Sequence, residues 1–113
     1  MPYIDIKTSA KATKDAEAAI VSELGEHISI FPGKSERWLM ISLDDECRMA
    51  FAGTSEGEAI VEVKLFGTPD RSAAERFTAA ATETVAKNLG ISPDRVYVKY
   101  EGCTLWGVGG ENF

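Results

Sequence analysis

Ala59-Ile60-Val61-Glu62-Val63-Lys64-Leu65-Phe66 is rich in branched and aromatic residues and bounded by Gly57 and Gly67, so it reads as the strongest strand of the chain. A helix follows it. Pro69 suits the entry, Ser72-Ala73-Ala74-Glu75 has the capping-box pattern, Phe77, Ala81, Val85 and Leu89 form one apolar stripe, and Gly90 marks the exit. Val96-Tyr97-Val98-Lys99-Tyr100 then closes a strand-helix-strand unit.

The same plan appears upstream. Pro2-Tyr3-Ile4-Asp5-Ile6-Lys7-Thr8 alternates with Ile4 and Ile6 inward, a half-buried strand. From Thr13 to about Phe31, Ile20, Leu24, Ile28 and Phe31 recur at helical steps, with Thr13 as cap and Asp15 and Glu17 at the positive helix end. Pro32-Gly33 stops that helix, and Trp38-Leu39-Met40-Ile41-Ser42-Leu43 reads as a buried strand. After the turn Asp44-Asp45-Glu46, Arg48-Met49-Ala50-Phe51 reads as a hairpin arm or sheet extension. The repeat is about 57 residues, which predicts one α+β domain over 1–113: duplicated β-α-β units, a four-stranded mixed sheet and two antiparallel helices on one face. Nothing in the sequence covers the other face, so self-association is expected there.

The chain has 113 residues, 44% hydrophobic and 27% charged, the composition of one globular domain. A net charge of −6 with no basic cluster argues against nucleic-acid or anionic-membrane binding. Cys47 and Cys103 form no C-x-x-C, so no redox motif or zinc cluster is read and a reducing, cytoplasmic location is expected, with non-classical secretion left open. No secretory leader pattern opens the sequence and no apolar run reaches a membrane span. Asp44-Asp45-Glu46 lacks spaced partners for a cation, His27 reads as a packing residue, and Gly107-Val108-Gly109-Gly110 opens no helix and reads as a flexible edge.

The Met1-Pro2 start before a strand, Pro32-Gly33-Lys34, Met49-Ala50-Phe51-Ala52-Gly53-Thr54-Ser55-Glu56 and above all Ile91-Ser92-Pro93-Asp94-Arg95-Val96-Tyr97-Val98 resemble the tautomerase superfamily. The branch is that of macrophage migration inhibitory factor and D-dopachrome tautomerase. The ending Leu105-Trp106-Gly107-Val108-Gly109-Gly110-Glu111-Asn112-Phe113 is similar to that of microbial members. The resemblance covers nearly the whole chain. It implies a homotrimer with three active sites at subunit interfaces, and an amino-terminal proline, here Pro2 after loss of Met1, as general base on small, phenylpyruvate-like α-keto acids.

Proton abstraction beside a carbonyl wants a base titrating near neutral pH and a donor for the enolate oxygen. The resemblance places Lys34 and the backbone N–H of Phe66 at the substrate carboxylate. It places Tyr97 in the pocket from a neighbouring subunit, and Tyr3, Trp38, Leu65, Phe66, Val108 and Phe113 at or near the pocket walls. Apolar rings and the Lys34 charge would lower the Pro2 pKa. Lys99 departs from the asparagine of mammalian members, and its charge would grip a carboxylate or depress the base further. The C-x-x-C of the mammalian factor falls here on Glu58 and Val61, so no thiol-oxidoreductase activity is expected. No cofactor or metal is expected.

A proline after an initiator methionine ordinarily does no more than permit methionine removal, and a lysine in a turn is ordinarily solvated. Only their register with the family promotes Pro2 and Lys34. Lys99 reads equally as an edge-protecting lysine. Two other functions compete with isomerisation: a cytokine-like receptor-binding protein with vestigial catalysis, and hydration or dehalogenation of unsaturated acids. The last needs extra arginines or a carboxylate beside the base, and no arginine stands out at a pocket position.

Overall fold

The computed structural model describes all residues, 1–113. Strand β1 is Pro2–Thr8, helix α1 Lys14–His27, strand β2 Met40–Asp44, strand β3 Ala59–Phe66, helix α2 Arg71–Leu89 and strand β4 Val96–Cys103. The sheet order is β2-β1-β3-β4. β1 and β2 are parallel, as are β3 and β4, and the two units meet antiparallel at β1 and β3. The duplicated plan and the four-stranded mixed sheet are therefore present.

Strict alternation decides the layers. Ile4 and Ile6 of β1 and Val61, Val63 and Leu65 of β3 are buried with Ile20, Leu24 and Ile28 from the α1 side and Phe77, Ala81 and Val85 of α2. Each large side chain of that kind stabilises the fold by about 1.5–3 kcal/mol on burial. Phe31 ties the layers together, its ring 5.2 Å from Phe77 and 6.1 Å from Tyr100. The opposite sheet face carries Tyr3, Asp5, Lys7, Glu62, Lys64, Tyr97, Lys99 and Glu101, and neither helix covers it. No helix is long and apolar enough to cross a membrane.

Five local expectations need correction. Helix α1 ends at His27, and a 3-10 turn over Ile28–Ile30 carries the apolar stripe on to Phe31. Trp38 lies in a 3-10 turn, Glu36–Trp38, rather than in β2, which starts at Met40. Residues 48–50 form no strand. Phe51 and Thr54 instead close a two-residue reversal with positive φ at Ala52 and Gly53. Asp70, not Ser72, caps α2 by accepting from the Ala73 N–H at 2.8 Å. Ser72 and Glu75 are engaged elsewhere, Ser72 accepting from Arg76 at 3.0 Å and Glu75 from Arg71 at 3.2 Å.

The fifth correction concerns the chain end. Gly107–Val108 (β5) and Glu111–Asn112 (β6) pair as a small hairpin rather than a loose edge. Gly109 and Gly110, at φ 61° and 93°, form the turn, and both central positions of such a turn need positive φ. The helix exit is as read: Gly90 sits at φ 67°, the left-handed cap.

The motif Ile91–Val98 has a structural role. Arg95 donates to the carbonyls of Phe51, Thr54 and Gly57 and reaches the buried Glu58 carboxylate at 2.8 Å. It thereby pins the 51–58 loop to the start of β4. Ser9, Arg95 and the Glu56 N–H all donate to Glu58, and these bonds outweigh burial and hold its pKa at about 2.

Candidate active site

One rung across all four strands builds the floor of the largest cavity. Register puts Met40 of β2 beside Tyr3 of β1, Tyr3 beside Lys64 of β3, and Lys64 beside Glu101 of β4. All four line a cavity of about 680 Å³, together with Met1, Pro2, Arg37, Trp38, Cys103, Trp106 and Val108. The adjoining rung, Pro2 with Leu65 and Leu65 with Gly102, sets the proline at its inner edge. Pro2 itself is buried. The β5–β6 hairpin and the turn before β2 supply the rim, so the cavity walls come from segments far apart in sequence.

At the amino terminus, the Met1 carbonyl accepts from the Phe66 N–H at 3.1 Å. Lys34 donates from Nζ to the Phe66 carbonyl at 2.9 Å. The Met1 amine is held below the ordinary value of 8.0, first by burial and then by the charge and hydrogen bonding of Lys34. With Met1 in place, the Phe66 N–H expected at a substrate carboxylate is thus occupied by the chain's own carbonyl.

Tyr3 is fixed by a hydrogen-bond chain on the open sheet face. Ser42 donates to Asp5 at 2.8 Å, and Lys7 donates to the same carboxylate at 3.0 Å. Partial burial pushes the Asp5 pKa up, but the Ser42 and Lys7 contacts outweigh it and keep the group below the usual carboxylate range. Ser42 has one proton and spends it on Asp5, so in the 2.7 Å contact between Tyr3 and Ser42 the tyrosine donates. The Tyr3 hydroxyl proton therefore points away from the cavity, and its ring serves as a wall.

Of the residues expected at a site, Pro2, Tyr3, Trp38 and Val108 converge on this cavity. Lys34, Leu65 and Phe66 line a smaller adjoining pocket, although Leu65 is only 2% exposed and belongs to the core between sheet and helices. Phe113 packs its ring 6.3 Å from Phe66 and is otherwise exposed. Tyr97 and Lys99 are not brought to Pro2 within one chain. Tyr97 pairs with Ile60 at the other end of β3, about 17 Å along the strand from the Pro2 rung. Lys99 pairs instead with Glu101, at 2.9 Å.

Arg37 corrects the expectation that no arginine stands at a pocket position. Its guanidinium lies 5.1 Å from the Trp38 ring centroid, on the cavity lining. Lys64, Glu101, Cys103 and Trp106 were also missed. Alternation left a signal for two of them, putting Lys64 on the open face with Phe66 and Glu101 on it with Tyr97 and Lys99. The others arrive through strand register and the fold of the chain end.

The sequence model of the macrophage migration inhibitory factor (MIF) family matches residues 1–112. Macrophage migration inhibitory factor of Rattus norvegicus is 25% identical over 109 residues, 96% of this chain and 94% of the relative. Among solved structures, MIF2 of Leishmania major superposes with a TM-score of 0.94 at 26% identity, over 100% of this chain and 97% of the other. The macrophage migration inhibitory factor homologue of Prochlorococcus marinus gives a TM-score of 0.83 at 34% identity, over 98% of both chains. With the duplicated β-α-β plan and the proline-edged cavity, these matches place the chain in the macrophage migration inhibitory factor family.

Proposed function

We propose that the chain is a keto-enol tautomerase of small α-keto acids, with the Pro2 amine, released by loss of Met1, as general base. The observation that carries this reading is the environment of the amino terminus: an amine held below its ordinary pKa by burial and by Lys34, at the edge of a largely apolar cavity. In ketonisation the Pro2 lone pair takes the enol O–H proton and that bond's electrons form the carbonyl. The former C=C pair then takes the proton at carbon. Atoms and electrons balance without a cofactor.

Lys34 and the freed Phe66 N–H bind the substrate carboxylate, and Trp38, Tyr3 and Val108 hold its tail. The reading includes a homotrimer. The uncovered sheet face and the exposed Tyr97 and Met40, 60% and 67% accessible, support it. A neighbouring copy is also what would bring Tyr97 to a Pro2 site.

The test follows ketonisation of enol-phenylpyruvate by the processed protein and by Pro2→Gly, with mass spectrometry reporting the Met1 state. Replacing the rigid secondary amine of proline by the mobile primary amine of glycine is expected to cost about 10²–10⁴-fold. Equal rates would sink the mechanism and favour an interaction protein with vestigial catalysis.

A further inference from the structure

Three cations line the two pockets beside Pro2 and Phe66 in a chain whose net charge is −6. Lys34 marks the end next to Phe66, while Arg37 and Lys64 lie on the wall of the larger cavity. The ion pairs of the chain use Lys7, Arg71, Lys87, Arg95 and Lys99, and neither Arg37 nor Lys64 is in any of them. Each sits against an aromatic ring instead, Arg37 5.1 Å from the Trp38 centroid and Lys64 5.4 Å from that of Tyr3. A ring face steadies a cation without neutralising it, so its N–H groups remain available to an anion.

The only carboxylate on the cavity lining is Glu101, which is bonded to Lys99 at 2.9 Å and feels the Lys64 charge more weakly. The cavity therefore holds more positive charge than one keto-acid carboxylate at Lys34 accounts for. Lys64 is two residues from Phe66 on β3, so its backbone lies about 7 Å from the Lys34 end. A substrate with an anionic group at each end and a short planar body against Trp38 and Tyr3 would present one charge to Lys34 and the other to Arg37 and Lys64.

We propose that the preferred substrates are dianionic: α-keto acids whose tail ends in a second carboxylate, held by Arg37 and Lys64 while Lys34 holds the first. This rests on the tautomerase reading above and adds the substrate class. A guanidinium and an ammonium converging on one carboxylate form charge-assisted hydrogen bonds, which the phenyl tail of phenylpyruvate cannot match. Arg37 and Lys64 are thus specificity-determining residues, with no part in the proton transfer.

The test compares kcat/KM for enol-phenylpyruvate and for the same compound with a para-carboxylate, in the processed wild type and in Arg37→Gln, Lys64→Gln and the double variant. The ratio cancels general damage to the site. Wild type is expected to favour the carboxylated compound by about tenfold or more. The double variant should bring the ratio near one, with added salt shrinking the wild-type preference. A wild-type ratio at or below one, or a preference that survives the double variant, overturns the proposal.

Absence of turnover with both compounds would be the failure of the tautomerase reading, and binding then decides this one. Titration of cinnamate and 4-carboxycinnamate, followed by tryptophan fluorescence, is expected to show tighter binding of the dianion by wild type alone. Equal affinities overturn the proposal.

Discussion

The Phe66 N–H donates to the Met1 carbonyl at 3.1 Å, so the residue that blocks the Pro2 nitrogen also occupies a backbone donor beside Lys34. Loss of Met1 would release both at once: a secondary amine at Pro2 and an unpaired N–H at Phe66. A preparation separated into methionyl and des-methionyl chains should therefore differ by about 10²-fold or more in kcat/KM. Keto-acid binding should differ too, because the carboxylate donor is freed by the same cleavage. Matched kinetics of the two mass-verified forms would refute this.

Lys34 is expected to act on both binding and basicity. Its charge contributes to the low pKa of the amine at the chain terminus, second to burial, and the same causes would act on the Pro2 amine after processing. Removing a nearby cation raises an amine's pKa, so in Lys34→Ala the acid limb of the kcat/KM profile should move to higher pH. KM should rise as well. A pH–rate profile with an unmoved acid limb would show that the lysine acts in binding alone.

Glu58 makes a prediction about acid stability. Its pKa is about 2 in the fold against an ordinary 4.5, owing to Ser9 first and then Arg95. A carboxylate depressed by folding contributes stability that is full above pH 4.5 and is lost as pH falls toward 2. Glu58→Gln should lower Tm at pH 7 and flatten its decline between pH 4.5 and 2. Calorimetry across that range decides the matter, and parallel Tm curves would contradict it.

Gly102 lines the cavity floor where β4 passes Gly67. A Cβ there would lie 2.3 Å from the Gly67 carbonyl oxygen and 2.8 Å from Pro69 Cδ. Neither neighbour is the free end of a flexible side chain, so Gly102→Ala must displace β4. The expected cost is about 1–3 kcal/mol by denaturant titration. The shift should also lower kcat/KM, since Gly102 shares a rung with Leu65 and Pro2.

Much of the fold was legible because periodicity is local. Ile4 and Ile6, Val61, Val63 and Leu65, and the helical stripes Ile20-Leu24-Ile28 and Phe77-Ala81-Val85 are buried as their spacing implies. Local chemistry misled where two devices competed for the same turn. Asp70 and Ser72 both suit a cap, and Asp70 prevails while Ser72 and Glu75 bond to arginines one turn away. Trp38 is apolar enough for a strand, yet it lies in a turn, 47% exposed on the cavity. Hydrophobicity alone does not separate a core residue from a pocket wall.

The sequence by itself determined the duplicated β-α-β plan, the two apolar helix stripes, the left-handed exit at Gly90 and the candidacy of Pro2 and Lys34. Each depends on residue type at short spacing, or on motif order along the chain. The tertiary structure alone decided that Met40, Tyr3, Lys64 and Glu101 share one rung, and that Arg37 and Trp106 reach the same cavity as Pro2. Strand register brings together residues tens of positions apart, and no local pattern encodes it. Register also leaves Tyr97 far from Pro2 within one chain, so a site that joined the two would need a second copy.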